Sequence, residues 1–426
     1  MRRHVILLLA AIAVSAAVRP ALSQKFLPKS IQFQGDPEYS NAELLAAAQL
    51  KPGVVLGYTD MQDCSKRLLD SGVFATVAFK YDGQDLIFML TPSTDLYPVQ
   101  LENLPLTPGK ELDRKIHDQV PLYHGKVPSE AGLTEDVRAV LEKILGTQNL
   151  KATVTAVASP PQGPGQEGFV SYSISSPPVV VGEIRLAANS APLDPGAQDI
   201  LTKLTGSPYS VEGSVNQIST YLGNYYRDKG YVEAAIEAKP AGAAVAAVDA
   251  IQIPFEVSAS PGLQYRLGAV ELPPDSPIAQ ADFDRKAPIH PGDIAEGQRL
   301  TSTWQMVSRL YHNRGLMRAS IHPVPNFDRF KATVSYTINV DPGPVYTMGK
   351  LSIENVSDDL RTAMLAAWKM PAGSTFNESA IMNFFAIGDA NPALARVFSS
   401  ASCRYTLTLN DGDRTVDVVL HLERKH

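Results

Sequence analysis

The residues that could do chemistry in this 426-residue chain are 8 histidines, 2 cysteines and 44 carboxylates. Their order along the chain serves no familiar reaction. The histidines lack the spacing with glutamate by which a helix binds zinc, no serine sits in a nucleophile elbow, and no carboxylate pair falls in an acid–base motif. Gly163-Pro-Gly165-Gln-Glu-Gly168 spells a dinucleotide fingerprint. Pro160-Pro161 precede it and a strand pattern follows, where a bound pyrophosphate needs a helix N-terminus, so it reads as a hairpin loop. Cys64 takes the helix position that Leu222 and Val307 hold in later segments, and Cys403 shares an apolar face with Tyr405, Leu407 and Leu409. Both read as small core residues. The expectation is a chain with no catalytic residue, no cofactor and no metal site.

Composition narrows the classes further. A net charge of −6 without long basic runs argues against nucleic acid, which requires lysine and arginine clustered on one face. Hydrophobic content of 44% and charged content of 19% suit soluble domains, and the length suits several small cores. Arg2, Arg3 and His4 precede the apolar run Val5–Val18, and Ala21-Leu22-Ser23 offers small residues for cleavage before Gln24. That pattern predicts a signal peptide over residues 1–23 and an exported mature chain without a spanning segment. Two distant cysteines do not make a disulfide framework.

The elements that would position any function announce themselves by repetition. Val181-Gly-Glu-Ile-Arg-Leu186, Leu267-Gly-Ala-Val-Glu-Leu272 and Met348-Gly-Lys-Leu-Ser-Ile353 place glycines at 182, 268 and 349, intervals of 86 and 81 residues. Pro261-Gly262 with Tyr265, and Pro342-Gly343 with Tyr346, repeat the lead-in. Periods of this size indicate one small domain copied along the chain. After Gly268 come a short helix over 279–287, a turn at His290-Pro291-Gly292, a longer helix over 296–314 with Leu300, Val307, Leu310 and Tyr311 on one face, a stop at Gly315, and two alternating strands. The preceding copy has its turn at Gly206, its long helix over 211–229 and its cap at Gly230. The first copy has a turn at Gly53 and a cap at Gly72, with a phase shift between Phe74 and Val77 that predicts a β-bulge. The Ala241–Ala247 stretch reads as a flexible hairpin loop, and the Tyr221, Tyr225, Tyr226 stripe as core packing. Phe384-Phe385 stands out as a candidate exposed apolar patch. A second copy, without the glycine phrase, and a fifth, whose second helix is broken at Gly388–Pro392, complete the series.

Ile31-Gln-Phe-Gln-Gly35, Arg67-Leu-Leu-Asp-Ser-Gly72-Val-Phe74, Tyr225-Tyr-Arg-Asp-Lys-Gly230-Tyr231 and Leu310-Tyr-His-Asn-Arg-Gly315-Leu316 resemble POTRA domains, and the link Val340–Gly349 is similar to the junction between successive POTRA domains of BamA-type outer-membrane assembly proteins. The resemblance implies an α+β fold: a tandem array of five βααββ domains, each with two helices on a three-stranded mixed sheet. These would span 24–95, 96–178, 179–262, 263–343 and a divergent 344–426. It differs from the family in ending after the last strand, without the β-barrel.

The resemblance also implies that the strand after each cap lies at a sheet edge, where open N–H and C=O groups could take up another chain. The candidate edges are 74–79, 153–156, 231–237, 316–322 and 404–408, with Phe74, Val77, Phe79, Tyr231, Glu233, Ala235, Glu237, Leu316, Arg318, Ser320, Arg404 and Thr406 as partner-binding residues. Gly53, Gly72, Gly206, Gly230, Gly292 and Gly315 are structural turns and caps. The implied role is a non-enzymatic periplasmic scaffold that associates with the outer membrane of a diderm bacterium. Its implied partners are a barrel assembly protein and unfolded outer-membrane proteins. The alternative keeps the fold and makes the chain an envelope or cell-division interaction protein, anchored in the inner membrane by residues 5–18.

Overall fold

The computed structural model describes residues 25–35, 38–161, 163, 165–188, 190–386 and 392–424. The expected signal peptide lies outside the described residues, as does most of the expected helix break, residues 387–391.

The elements follow one order five times. First come β1 (Lys25–Phe26), β2 (Ser30–Gln34), α1 (Asn41–Ala48), β3 (Leu56–Gly57), α2 (Tyr58–Asp70), β4 (Phe74–Tyr81) and β5 (Asp85–Pro92). Then come β6 (Leu96–Leu101), α3 (Lys110–His117), β7 (Lys126–Pro128), α4 (Gly132–Thr147), β8 (Thr153–Ser159) and β9 (Phe169–Ser176). The third group is β10 (Val179–Leu186), α5 (Pro195–Leu204), α6 (Gly213–Asp228), β11 (Ala235–Pro240), β12 (Val245–Ala246) and β13 (Ile251–Ser260). The fourth is β14 (Arg266–Glu271), α7 (Gln280–Lys286), α8 (Gly297–His312), β15 (Ser320–Asp328) and β16 (Thr333–Asp341). The fifth is β17 (Thr347–Glu354), α9 (Asp358–Ala367), α10 (Glu378–Phe385), α11 (Pro392–Ser400), β18 (Ala401–Asn410) and β19 (Thr415–Arg424).

β1 and β3 pair as a two-stranded ribbon, and the five larger sheets run β2-β5-β4, β7-β6-β9-β8, β10-β13-β11, β14-β16-β15 and β17-β19-β18. In each, the last long strand of the group sits between the first strand and the one that follows the helices. Where the register is defined, the first strand pairs parallel and the later one antiparallel, giving mixed sheets. The inner strand carries the strictest alternation because helices cover one of its faces. Val334, Tyr336 and Ile338 of β16 are buried, as are Val416, Val418, Leu420 and Leu422 of β19. Each fully buried side chain of this size contributes about 1.5–3 kcal/mol. Helix stripes complete the cores, with Leu300, Val307 and Tyr311 in the fourth and Met364, Ile381 and Phe384 in the fifth. Trp304 packs against the fourth core and Trp368 against the fifth.

The repeated glycine phrase has a local cause. The register of β14 on β16 shifts between Leu267 and Val270, and that of β17 on β19 between Met348 and Leu351. The Ala269 N–H donates to Ser335 Oγ at 3.1 Å, and the Lys350 N–H to Asp417 Oδ1 at 2.6 Å. A side chain at Gly268 or Gly349 would occupy the space that the inner strand's polar group fills. The first sheet carries the predicted bulge, between Phe74 and Thr76. In the second group Asn149, at φ +60°, takes the left-handed conformation that glycine supplies elsewhere.

Several expectations are corrected. Part of the 241–247 stretch is strand β12, which pairs with β13. On either side of the expected break the fifth group has α10 and α11, and α11 leads straight into β18. Phe384 is buried and Phe385 half-buried, because α11 brings Phe398 against both rings. They are core, not surface patch. Of the tyrosine stripe, Tyr226 is buried but Tyr221 is exposed, since it lies off the apolar face of α6. Cys64 is buried beside Met61 and Leu68, and burial pushes its thiol pKa up. Cys403 is half-buried against the fifth core. Gly168 leads into β9, so no helix stands where a dinucleotide would need one.

Candidate functional site

The strand after the helices, β4, β8, β11, β15 or β18, is outermost in each of the five larger sheets, and among the described residues no further strand pairs with its open side. Such an edge presents backbone donors and acceptors to a chain of almost any sequence. Phe74, Val77 and Phe79 lie on β4, Ala235 and Glu237 on β11, Ser320 at the start of β15, and Arg404 and Thr406 on β18.

Four predicted edge residues lie outside any strand. Tyr231, Glu233, Leu316 and Arg318 fall in turns ahead of β11 and β15. The Ala234 N–H donates to the Tyr231 carbonyl at 3.0 Å, and the Ala319 N–H to the Leu316 carbonyl at 3.1 Å. Alternating apolar residues mimic a strand there, but the backbone is bent by contacts with the next segment of chain.

The five edges are not equivalent. β15 stays in continuous antiparallel register with β16 from Ser320 to Asp328 although Pro323 and Pro325 lie within it. Proline has no N–H, so both take positions whose backbone faces away from β16, and both remove a donor from the open side. β11 is 6 residues long and ends at Pro240. β18 has 10 residues and no proline. Its outward side chains include Arg404, Thr406 and Thr408, while Tyr405 and Leu407 turn to the core.

The bent turns belong to two joints of one design. The Gly230 carbonyl accepts the Tyr265 N–H at 2.8 Å, and the Tyr265 carbonyl accepts the Ala295 N–H at 2.9 Å. At the next joint the Gly315 carbonyl accepts the Tyr346 N–H at 2.7 Å, and the Tyr346 carbonyl accepts the Phe376 N–H at 3.0 Å. The linking tyrosine thus ties the preceding helix cap to the turn of its own group. Gly230 and Gly315 have φ of +86° and +77°, and a Cβ would lie 2.5 Å from Ile294 Cγ2 at the first and from the Tyr346 carbonyl oxygen at the second. The cap glycines are therefore docking points as well as stops. Gly72 is built alike, facing Ala131 and Pro128, whereas Gly53, Gly206 and Gly292 have positive φ but open space around them.

Each tyrosine hydroxyl meets an ion pair. Tyr265 donates to Glu233, which also binds Arg329 Nη2 at 2.6 Å. Tyr346 donates to Asp411, which binds Arg318 Nη2 at 2.8 Å. Arg329 holds Glu233 below the usual carboxylate range, and the hydrogen bond from Tyr346 does the same for Asp411. The second joint adds a contact from His312 Nδ1 to Glu378 Oε2 at 2.7 Å.

A family model described as POTRA, surface antigen variable number repeat, matches residues 270–343. Residues 270–343 form a POTRA domain. POTRA domains are protein-interaction modules, and this one holds β16, the proline-interrupted edge β15 and both joint arginines, Arg318 and Arg329. Among solved structures the chain is similar to POTRA domains 3–5 of Haemophilus influenzae BamA, at 17% identity over 58% of this chain and 96% of that one, with a TM-score of 0.42. It is similar to the N-terminal domain of Omp85 from Thermosynechococcus elongatus, at 13% identity over 59% and 100%, with a TM-score of 0.23. A match to CdiB from Escherichia coli has 13% identity over 55% and 37%, with a TM-score of 0.19. Among the described residues no helix is long and apolar enough to cross a membrane.

Proposed function

We propose that the chain is a non-enzymatic periplasmic scaffold of five POTRA-like domains, at 24–95, 96–178, 179–262, 263–343 and 344–426, that takes part in outer-membrane protein assembly. It binds unfolded outer-membrane proteins, or a barrel partner, by strand addition at its sheet edges. The observation that carries this reading is the outermost position of the post-helix strand in all five sheets, with β18 long and free of proline. A client's backbone would supply the missing ladder, so affinity would depend little on client sequence while alternate side chains lie across the strand. The working edge in this reading is β18, with Arg404 and Thr406 flanking the added strand, and β4 is the second choice.

Photo-crosslinking with benzophenone at Thr406, at Ala78 of β4 and at Val324 of β15 tests it, using a β-barrel precursor diluted from urea as client. The expected result is capture at Thr406 and Ala78 and little at Val324, where the prolines interrupt the edge. No capture at Thr406 or at Ala78, or equal capture at Val324, would overturn edge addition. Repeating the Thr406 experiment in cells separates assembly partners from cell-division partners by the identity of the adduct.

A further inference from the structure

Glu43 lies in the first turn of α1, His117 at the end of α3, and His124 in the segment before β7. The fold brings these groups together from positions 74 and 81 residues apart. Glu43 Oε1 stands 2.8 Å from His117 Nε2 and 3.1 Å from His124 Nε2. The three ligand atoms all lie within 4.8 Å of one another. Zinc bonds of about 2.0–2.1 Å in a tetrahedron put neighbouring ligand atoms roughly 3.3 Å apart, so small side-chain adjustments would admit the ion.

The carboxylate is already oriented. Glu43 Oε2 accepts the Ser40 N–H at 2.6 Å, and Ser40 Oγ accepts the Glu43 N–H at 3.3 Å, a capping box that leaves Oε1 for the histidines. The Tyr39 ring packs 4.7 Å from that of His124 and restricts its orientation. Side-chain exposures of 18% for Glu43, 27% for His124 and 37% for His117 leave an approach from solvent. An open cavity of about 360 Å³ adjoins both imidazoles and is also lined by Asp113, Arg114 and Tyr123.

We propose that Glu43, His117 and His124 bind one Zn²⁺, with water in the fourth position. Two neutral imidazoles and one carboxylate are a donor set that zinc favours over magnesium or calcium. The ion would join α1 to the α3–β7 segment and stabilise that junction by mass action.

The test is calorimetric titration of zinc chloride into the metal-stripped full chain and into His117→Asn, His124→Asn and Glu43→Gln. One equivalent is expected to bind the unsubstituted chain, with at least tenfold weaker binding in each variant. Its thermal midpoint should rise with zinc, and those of the variants should not. Cobalt(II) added to the unsubstituted chain gives a readout that does not depend on how the variants fold, with the visible bands of a tetrahedral ion expected. Absence of zinc binding, or variants that bind like the parent, would show that the three side chains form hydrogen bonds only, and an octahedral cobalt spectrum would overturn the four-coordinate site.

Discussion

The joint ahead of the 270–343 domain and the joint behind it share a backbone and exchange their charges. Both use a left-handed glycine, a tyrosine whose N–H binds that glycine's carbonyl, and a hydroxyl aimed at a carboxylate. At the first joint the acid, Glu233, follows the cap glycine by three residues and the arginine, Arg329, lies in the next hairpin. At the second, Arg318 follows the cap glycine by three residues and Asp411 lies in the next hairpin. The domain between them is cationic at both joints and its neighbours are anionic. Backbone geometry makes a joint possible, and the side chains distinguish one neighbour from another. Were the 270–343 domain to follow a second copy of itself, Arg318 and Arg329 would meet, a like-charge arrangement that disfavours the wrong order.

The largest effect is expected at the glycines. Gly230→Ala and Gly315→Ala each add left-handed strain to a steric clash and should destabilise the protein by about 2–4 kcal/mol. Gly292→Ala, at φ +91° with open space around it, carries the strain alone and should cost about 1–2 kcal/mol. Urea melts of the three variants compare them, and equal losses would remove the docking role of the caps. An intermediate effect separates the joints by pH. His312 holds the partly buried Glu378 below the usual carboxylate range. A depressed carboxylate stabilises the fold fully above its unfolded value of about 4.3, and that stability is lost as pH falls through the folded value. Acid should therefore weaken the second joint more than the first, and Glu378→Gln should level them, as followed by hydrogen exchange at the Tyr265 and Tyr346 amides. The smallest effect belongs to the exposed ion pairs. Arg318→Glu should loosen the second joint and Asp411→Arg added to it should restore it, a rescue read from a double-mutant cycle. Failure of the rescue would reduce the charge exchange to coincidence.

Much of this was legible in sequence because the inner strands and long helices advertise their buried faces by period. The alternation of Val334, Tyr336 and Ile338 is dictated by the helices above it. The same signal misled at Met317 and Ala319, where alternation runs on but the backbone turns, the Ala319 N–H closing on the Leu316 carbonyl next to the glycine that binds Tyr346. Tertiary contact decides that turn, and no local pattern records it. Pro323 and Pro325 were in plain view, and their significance required knowing that β15 is an edge. The carboxylate and two imidazoles near α1 escaped detection because their ligand spacing exists only after folding. Phe384 and Phe385 read as surface because the packing of Phe398 on both rings, from beyond the helix break, is a tertiary contact that no local pattern records.

The placement of the two tryptophans has an optical consequence. The chain contains only Trp304 and Trp368, one packed with Tyr336 in the fourth core and one with Phe384 in the fifth. Emission from a Trp304→Phe chain reports the last core alone, and that from a Trp368→Phe chain the POTRA core before it. The molecule carries an intrinsic two-channel fluorescence readout of whether neighbouring cores melt together or in sequence.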